Sequence, residues 1–293
     1  MVEILLPFYG DPNLLRTAVQ SVLWQRSADW TLTIVDDGYP DPSVQEWCTA
    51  IDDDRVRYLR NEVNLGANRN YAYALSLATQ DYVVLMGADD VMLPNYLDVA
   101  TRTISAFPGI AVVQPGVGII DEHGAAVRPL VDRIKSALSP RTTGSTVVSG
   151  EPLAARLLLG NWAYFPALCW NRRLISDIGF RARYDVVQDL ALLLDVAMRG
   201  GSFAYDPELA FLYRRHAASD SGQRTMSGHR FDEERAVFAE FADEFERHGW
   251  PSASRAARLH LTSRLHAAAL APRATVSDRK ALVSLLRHVV ATR

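Results

Sequence analysis

The sequence predicts an α/β protein whose sheet is mostly parallel and is covered by helices on both faces. Strand-like and helix-like segments alternate through the first 120 residues, which is the rhythm of a parallel sheet with crossover helices. Of the 293 residues, 48% are apolar and 22% are charged, a composition that is typical of a globular chain and excludes a disordered one. No uncharged apolar run of about 18 residues occurs in the sequence, so we expect no membrane span.

Apolar and β-branched runs predict five strands in this first part, at residues 2–8, 31–35, 56–59, 81–86 and 110–114. The helical spacing of apolar residues predicts the helices between them, at residues 12–25, 43–51, 68–79 and 94–105. Residues 131–150 are rich in Ser, Thr, Gly and Pro, which predicts a mobile loop. Beyond it we expect helices at 151–160 and 188–198, and short strands at 202–205 and 210–213. Three last helices are expected at 231–248, 252–270 and 277–291, the final one capped by Ser277.

The net charge of −3 hides an asymmetry between the body and the tail of the chain. From Pro251 onward there are eight Lys or Arg residues and one acid, so the tail carries +7 and the first 250 residues carry −10. An acidic body does not favour a nucleic-acid partner. The basic tail leaves alternatives open: helices that pack on the rest of the chain or on a second copy in a homodimer, or a peripheral contact with an anionic membrane.

Two cysteines, Cys48 and Cys169, are too few and too far apart in sequence for a disulfide framework or a zinc knuckle. The N-terminal residues lack the basic start of a signal peptide and are typical of a strand. We therefore expect a cytoplasmic protein, either free or peripheral at the inner face of the membrane.

Two acidic pairs follow predicted strands, at the edge where α/β sheets bind ligands. Asp36 and Asp37 end the second strand, and Asp89 and Asp90 follow the fourth. One such pair alone is equally typical of a turn or a helix cap. Four carboxylates close together would repel one another unless a cation or sugar hydroxyls shared them. Since Mg²⁺ and Mn²⁺ take oxygen ligands, the pattern indicates a diphosphate-bearing ligand held with such a metal.

Five segments, in their order and spacing, resemble the family 2 inverting glycosyltransferases, which have the GT-A fold and use nucleotide-sugar donors. They are residues 6–11 (Leu-Pro-Phe-Tyr-Gly-Asp), 34–41 (Ile-Val-Asp-Asp-Gly-Tyr-Pro-Asp), 64–70 (Asn-Leu-Gly-Ala-Asn-Arg-Asn), 87–94 (Gly-Ala-Asp-Asp-Val-Met-Leu-Pro), and the block from Gln188 to His216. The resemblance covers roughly residues 1–220. It implies a GT-A catalytic domain over residues 1–225, with a nucleotide-binding half at 1–120 and an acceptor half at 121–225, followed by a C-terminal helical extension at 226–293.

The resemblance implies a metal-dependent, inverting transfer of a sugar from a nucleotide-diphosphate sugar, with UDP favoured, to an acceptor hydroxyl. The acceptor would be a saccharide, a lipid-linked molecule or a small molecule, in the biosynthesis of a cell-surface polysaccharide, a glycolipid or a natural-product glycoside. Two alternatives stay open: a sugar nucleotidyltransferase, and a non-catalytic carbohydrate-binding protein on the same fold. The first needs a glycine-rich loop with Arg and Lys after strand one, where this chain has Pro-Phe-Tyr-Gly-Asp-Pro at residues 7–12.

The same resemblance assigns site residues. Asp189 would be the catalytic base that takes the proton of the acceptor hydroxyl, although capping of the following helix is an alternative role. Mn²⁺ or Mg²⁺ would be held by Asp89, Asp90 and His216. The nucleotide would be bound by Pro7, Phe8, Tyr9, Asp11, Asp36, Asp37, Asn64, Gly66, Arg69 and Ala88. The acceptor would be contacted by Trp162, Gln188 and Arg214, with burial in the core as the alternative for the aromatic ring. The chain departs from the family pattern at Gly87, in place of an Asp, and at Gln188, in place of a Glu.

Overall fold

The computed structural model describes residues 1–216, 229–274 and 279–290, which form one nine-stranded sheet and its flanking helices. The strands are β1 (Val2–Phe8), β2 (Trp30–Asp36), β3 (Val56–Arg60), β4 (Tyr82–Leu85), β5 (Val91–Met92), β6 (Val112–Ile120), β7 (Thr146–Ser149), β8 (Cys169–Asn171) and β9 (Ser202–Arg214). The helices are α1 (Pro12–Leu23), α2 (Pro42–Thr49), α3 (Ala67–Ser76), α4 (Tyr96–Ala106), α5 (Leu130–Leu138), α6 (Gly150–Leu159), α7 (Arg172–Ile178), α8 (Gln188–Met198), α9 (His229–His248), α10 (Pro251–Leu259), α11 (Leu261–Ala274) and α12 (Arg279–Val290).

The sheet has the strand order β3-β2-β1-β4-β8-β6-β9-β5, and β7 also pairs with β9. The first four of these strands are parallel to one another. β8 is antiparallel to both of its neighbours, β6 and β9 are parallel, and β5 and β7 are antiparallel to β9. Within the described chain only β5, β7 and β8 therefore run against the other strands, which agrees with the predicted α/β class and its mostly parallel sheet.

Both faces of the sheet are covered by apolar side chains from the helices. Successive residues of β1 point to opposite faces, so Leu5 lies in one apolar cluster, whereas Ile4 and Leu6 lie in the other. Helices α6, α8 and α9 contribute to the first cluster, and α1 and α4 contribute to the second. Burying each large side chain of this kind stabilises the fold by about 1.5–3 kcal/mol.

The C-terminal helices divide into two parts. Phe241 of α9 and Ala253 of α10 belong to the same core cluster as the residues of α8. Helices α11 and α12 pack instead on Phe231, at the start of α9, in a small cluster with Ala267 and Leu285. The first part of the extension is therefore integral to the main core, and the second part packs on the start of α9. None of the helices in the described ranges is long and apolar enough to cross a bilayer.

The structure differs from the sequence prediction in three segments. The stretch predicted as a mobile loop contains α5 and β7, because residues 130–138 form an amphipathic helix and only residues 139–145 connect it to the strand. The two strands expected within residues 202–213 are one continuous strand, β9. The helix expected at 252–270 is broken at His260, whose φ of 28° interrupts it between α10 and α11. Ser277, the predicted cap, lies outside the described residues.

Buried histidines between the C-terminal helices make stability depend on pH. Burial lowers the pKa of His288 to about 4, and burial also lowers the pKa of the neighbouring His260. The unfolded chain takes up these protons near pH 6.5, whereas the folded chain resists them, so the free energy of unfolding falls as pH drops from about 6.5 towards 4. We expect the melting temperature to fall between pH 7 and pH 5, and less steeply in His288→Gln. His123→Gln, at an exposed histidine, should keep the wild-type slope; an equally steep slope in His288→Gln would contradict the assignment.

Candidate active site

The turn after β4 carries two acidic side chains with different surroundings. The carboxyl of Asp90 is buried, and its Oδ1 atom accepts the backbone N–H of Arg214 at 2.8 Å. Its Oδ2 atom has no hydrogen-bond partner among the described residues. Burial, followed by the nearby charge of Asp89, holds the pKa of Asp90 well above its usual range. The side chain of Asp89 is 33% exposed, so its oxygens remain open to a ligand.

Gly87 packs closely against both carboxyl groups. A Cβ atom at this position would stand 2.6 Å from Asp90 Oδ2 and 2.9 Å from Asp89 Oδ1. No side chain therefore fits here unless these carboxyl groups move. The resembling sequences have Asp here, so this chain has one carboxylate fewer at the turn.

The end of β9 lies against the same turn. The guanidinium of Arg214 donates from Nε to the Asp89 carbonyl at 2.7 Å and from Nη1 to the Asp121 carbonyl at 2.9 Å. Two residues further on, His216 Nε2 lies 2.8 Å from Asp89 Oδ2. This hydrogen bond raises the pKa of His216 above its ordinary value. Asp89 and His216, which are 127 positions apart in sequence, are thus direct neighbours in space.

Two of the three predicted metal ligands are in direct contact, and the third lies beside them. Asp89 and His216 offer a carboxylate oxygen and an imidazole nitrogen at the turn after β4. This donor set fits a divalent cation that takes its other ligands from phosphate oxygens and water. Asp90 is buried and bonded to Arg214, and in the described part of the chain no group of three His, Cys, Asp or Glu side chains is suited to a metal ion. The contacts of Asp90 support the turn, and its role as a direct metal ligand stays a prediction.

Asp36, at the end of β2, is fully buried and is bonded within the protein. Its carboxylate accepts hydrogen bonds from the Tyr58 hydroxyl, the Tyr39 backbone N–H and the Arg60 guanidinium. These three donors occupy both oxygens. The side chain therefore joins β2 to β3 and fixes the start of the next loop.

Asp37 holds the loop that precedes α3. Its carboxylate accepts hydrogen bonds from the Asn61 amide at 2.8 Å, from Leu65 N–H at 2.8 Å and from Gly66 N–H at 2.9 Å. Asn64 Oδ1 accepts a further bond from the same Gly66 N–H at 3.0 Å. Gly66 has a φ of 83°, a left-handed conformation that favours glycine, and it begins α3. The loop that carries the predicted nucleotide contacts Asn64 and Gly66 is thereby fixed to the end of β2.

The residues at the end of β1 and just after it differ in what they expose. Pro7 and Phe8 are buried, so only their backbone atoms can face a ligand. Tyr9 is 57% exposed, and its ring stands edge-on to that of Tyr39 with 5.5 Å between centroids. The carboxylate of Asp11 caps the N-terminus of α1. Of the four residues predicted here as nucleotide contacts, Tyr9 presents an exposed aromatic face.

A pair of hydrogen bonds connects the start of α3 to the start of α8. Asn68 Oδ1 accepts the amide of Gln188 at 2.7 Å, and Asn68 Nδ2 donates to Asp185 Oδ1 at 2.6 Å. Arg69, the next residue, is exposed, and Ala88 is half-buried in the turn after β4. The predicted nucleotide loop is therefore bonded directly to the segment that carries the predicted base.

Asp189 lies in the first turn of α8, where the helix dipole favours a carboxylate. Its Oδ1 atom accepts the N–H of Leu190 at 2.7 Å, and its Oδ2 atom accepts the amide of Asn161 at a longer 3.3 Å. The side chain is half-buried. One oxygen is thus held by the helix, and the other is available to a further donor.

A charged cluster that the sequence analysis missed lies on α5 and at the end of β9. Asp132 accepts two hydrogen bonds from Arg215, at 2.6 and 2.7 Å, and one from the Tyr164 hydroxyl at 2.9 Å. Lys135 lies on the same helix with its ammonium 4.4 Å from the centre of the Tyr164 ring. The three-residue spacing of Asp132 and Lys135 is compatible with one face of a helix. Both residues, however, lie in a stretch whose composition predicts a loop.

Lys135 shows that the two ends of the site are close together. Its ammonium donates to the Ala163 carbonyl at 2.9 Å. Burial, followed by the positive charge of Arg215, lowers the pKa of Lys135 to about 7, while the negative charge of Asp189 opposes this shift. Asp189 bonds to Asn161, Lys135 bonds to Ala163, and Asp132 bonds to both Tyr164 and Arg215, so residues 161–164 join the start of α8 to the end of β9. His216 directly follows Arg215.

The predicted acceptor contacts are largely occupied inside the protein. Trp162 is fully buried and packs edge-on against Phe203 with 4.8 Å between centroids, so the prediction that it forms a platform for a sugar is wrong. Arg214 is buried and bonded to backbone carbonyls, which gives it a role in holding the turn instead. Gln188 remains half-buried and bonded to Asn68, and its contact with an acceptor stays a prediction.

Comparisons of the sequence identify similar proteins. Residues 3–146 match the family model described as Glycosyl transferase family 2. The putative colanic acid biosynthesis glycosyl transferase WcaA of Escherichia coli (strain K12) is 33% identical over 100 residues, which cover 34% of this chain and 36% of that protein. The chain spans about a third or less of the length of three curated relatives that it matches.

Two solved structures share the fold at low sequence identity. TarS 1–349 of S. aureus, in complex with UDP-GlcNAc, has a TM-score of 0.64 at 13% identity, with 98% of this chain and 90% of that chain covered. The mannosyltransferase PcManGT from Pyrobaculum calidifontis, in complex with GDP-Man and Mn²⁺, has a TM-score of 0.60 at 17% identity, with 99% and 86% covered. These likenesses confirm the expected GT-A-type fold.

Proposed function

We propose that the chain is a family 2 glycosyl transferase, as the match of residues 3–146 to that family model indicates, and that it transfers a sugar from a nucleotide-diphosphate sugar to an acceptor hydroxyl, with inversion at the anomeric carbon. The observation that carries this proposal is the contact of Asp89 with His216 at the carboxyl end of β4. TarS and PcManGT were solved with UDP-GlcNAc and GDP-Man, which supports a donor of this class. We favour a UDP-linked donor.

At the nucleotide end, Tyr9 is proposed to stack on the base, since an aromatic face suits any base. Arg69 and Asn64 are exposed on the loop before α3 and its first turn, within reach of a bound nucleotide's polar groups. Asp36 and Asp37 act indirectly in this proposal, because their carboxylates already hold the surrounding loops. The nucleotide-binding half is residues 1–120, and the acceptor half is residues 121–225.

At the diphosphate end, Asp89 and His216 are proposed to hold Mn²⁺ or Mg²⁺. Such a cation, when bound, would offset the charge that grows on the leaving diphosphate. Asp90 keeps the turn in place through Arg214, so that Asp89 faces outwards. The support for this assignment is the direct contact of two metal-compatible side chains at the turn after β4.

Asp189 is proposed as the base. The acceptor oxygen attacks the anomeric carbon from the face opposite the diphosphate, a bond forms between them, and the bond from that carbon to the diphosphate oxygen breaks. The proton of the acceptor hydroxyl passes to Asp189 Oδ2, whose bond from Asn161 is long. The shorter bond from Leu190 N–H holds the other oxygen and fixes the orientation of the carboxylate.

For the biological setting, we propose a cytoplasmic enzyme of cell-surface polysaccharide biosynthesis. The support is that WcaA, a relative over part of its length, is described as acting in colanic acid biosynthesis. A saccharide or lipid-linked acceptor fits this setting.

We further propose that α11 and α12 contact an anionic lipid surface. Val283, Leu286 and Val290 recur at the spacing of one helix face and are between 47% and 68% exposed. Leu261 and Leu265, one turn apart on α11, are exposed as well. The tail from Pro251 onward carries a net charge of +7, and each basic residue near an anionic surface contributes about 1 kcal/mol. Apolar stripes together with this charge suit an anionic lipid surface.

Removal of the Asp89 carboxylate should abolish transfer and metal-dependent nucleotide binding while leaving the fold intact, because this side chain is partly exposed. A thermal-shift assay with UDP, GDP or TDP and Mn²⁺ measures this; a ligand at about 100 times its Kd stabilises by roughly 2.7 kcal/mol. Wild type should respond to UDP with Mn²⁺ but not with EDTA, and Asp89→Ala should respond to neither. The exposed Asp52→Ala is the control. A Mn²⁺-dependent response that survives in Asp89→Ala would remove the metal role.

Asp189→Asn should bind the donor normally and lose transfer by about 10²- to 10⁴-fold, the usual contribution of a general base. The matched control is Asp195→Asn on the same helix, where the carboxylate pairs with Arg181 and contacts no predicted substrate group. Turnover with a UDP-sugar and a saccharide or lipid-linked acceptor, compared with UDP affinity, separates catalysis from binding. A turnover number for Asp189→Asn near that of Asp195→Asn would place the base elsewhere.

The lipid contact is tested by sedimentation with anionic and neutral liposomes. Wild type should bind anionic vesicles at low salt and dissociate as salt rises, because charges are screened beyond about 8 Å at physiological ionic strength. Leu286→Ser/Val290→Ser should bind several-fold more weakly, and Val147→Ser, an exposed apolar site on β7, should not differ from wild type. No binding of wild type to anionic vesicles at low salt, or a concentration-dependent dimer that the double variant disrupts, would overturn the lipid assignment.

A further inference from the structure

Residues 185–187 form the turn that leads directly into α8, the helix that carries Asp189. The residue before the first turn of that helix is Val187, whose side chain cannot accept a hydrogen bond. Leaving backbone N–H groups unpaired is costly when they are buried. The N–H groups of residues 185–187 therefore need a partner, and it comes from another part of the chain.

Glu233 of α9 supplies that partner. Its carboxylate accepts hydrogen bonds from three consecutive backbone N–H groups: Asp185 at 3.0 and 3.1 Å, Val186 at 2.7 Å and Val187 at 3.3 Å. The side chain is buried, so water competes little with these bonds. A carboxylate in this place also faces the positive end of the α8 dipole.

Helix α9 is itself firmly attached on this side of the fold. The guanidinium of Arg181 bonds to Glu240 and Glu244 of α9 and to Asp195 of α8, and stands 4.3 Å from the centre of the Phe241 ring. Helix α9, which carries Glu233, is therefore attached to α8 at a place more than one helical turn away from Glu233 itself. On the other side, Asn68 bonds to Asp185 from the nucleotide loop, so the turn at residues 185–187 is held from two directions.

We propose, on the basis of the proposed function, that Glu233 is a positioning residue for glycosyl transfer, which holds residues 185–187 so that the Asp189 carboxylate faces the acceptor hydroxyl. The C-terminal extension then belongs to the catalytic apparatus through one side chain. Glu233 touches neither donor nor acceptor. Its loss changes where the base lies and leaves the nucleotide site as it was.

The test compares Glu233→Ala and Glu233→Gln with Glu244→Ala, a control that removes a carboxylate of the same helix from Arg181 and not from the turn. For Glu233→Ala we expect kcat to fall at least tenfold, with the donor KM and the UDP–Mn²⁺ thermal shift unchanged, since a displacement of about 1 Å can cost about 10²-fold. Glu233→Gln keeps an accepting oxygen and should recover most of the rate. Glu244→Ala should lower the melting temperature and keep kcat. Equal kcat values for Glu233→Ala and Glu244→Ala would overturn the proposal.

Amide hydrogen exchange provides a readout that does not need turnover. In Glu233→Ala the amides of residues 185–187 should exchange faster than in wild type, whereas in Glu244→Ala they should not. Unchanged exchange in Glu233→Ala would overturn the hold of Glu233 on the turn. Faster exchange in a protein whose wild type transfers no sugar would instead overturn the proposed function and confirm that hold.

Discussion

The buried contact between Asp90 and Arg214 is the constraint on which the candidate site depends. The Asp90 carboxyl accepts the backbone N–H of Arg214, and the Arg214 guanidinium returns to the Asp89 carbonyl. These two bonds fix the end of β9 on the turn after β4. His216 then meets Asp89 only because the strand ends there. A buried carboxyl with a raised pKa thus holds an exposed one in position.

The remainder of the site is assembled by similar contacts between distant segments. Asp37 holds the loop before α3, Asn68 extends that loop to α8, and Glu233 meets the same turn from the C-terminal side. Each bond joins elements that are far apart in sequence, and each ends next to a residue proposed to handle donor or acceptor. The predicted nucleotide site and the proposed catalytic base, Asp189, are thus connected through the turn at residues 185–187.

The sequence predicted the parts of this arrangement that follow from local pattern. The alternation of strands and helices predicted the sheet, and acidic residues after β2 and β4 predicted the edge where the site lies, because parallel strands end together. It could not predict that Asp90 turns inwards while Asp89 stays exposed, since neighbouring residues with the same chemistry differ only in their packing. The resemblance brought Asp89 and His216 into one hypothesis, and the structure makes them neighbours.

Other residues could not be assigned from sequence for physical reasons. Trp162 is an aromatic residue of the kind that stacks on sugars, but its ring is buried in the core against Phe203 of β9. Asp132 and Lys135 lie in a stretch whose Ser, Thr and Gly content outweighed its helical spacing. Glu233 looks like one of many acids on α9, because a carboxylate that holds the backbone of a distant turn leaves no local pattern.

A crystal structure with UDP and Mn²⁺, with anomalous diffraction recorded for manganese, tests the central claim most directly. The account predicts an anomalous peak within coordination distance of Asp89 and His216, with the diphosphate oxygens on its other side. The nucleobase should stack against Tyr9, and the Asp189 carboxylate should lie across the open space left for the acceptor. Manganese bound elsewhere, or UDP bound away from the turn after β4, would contradict it.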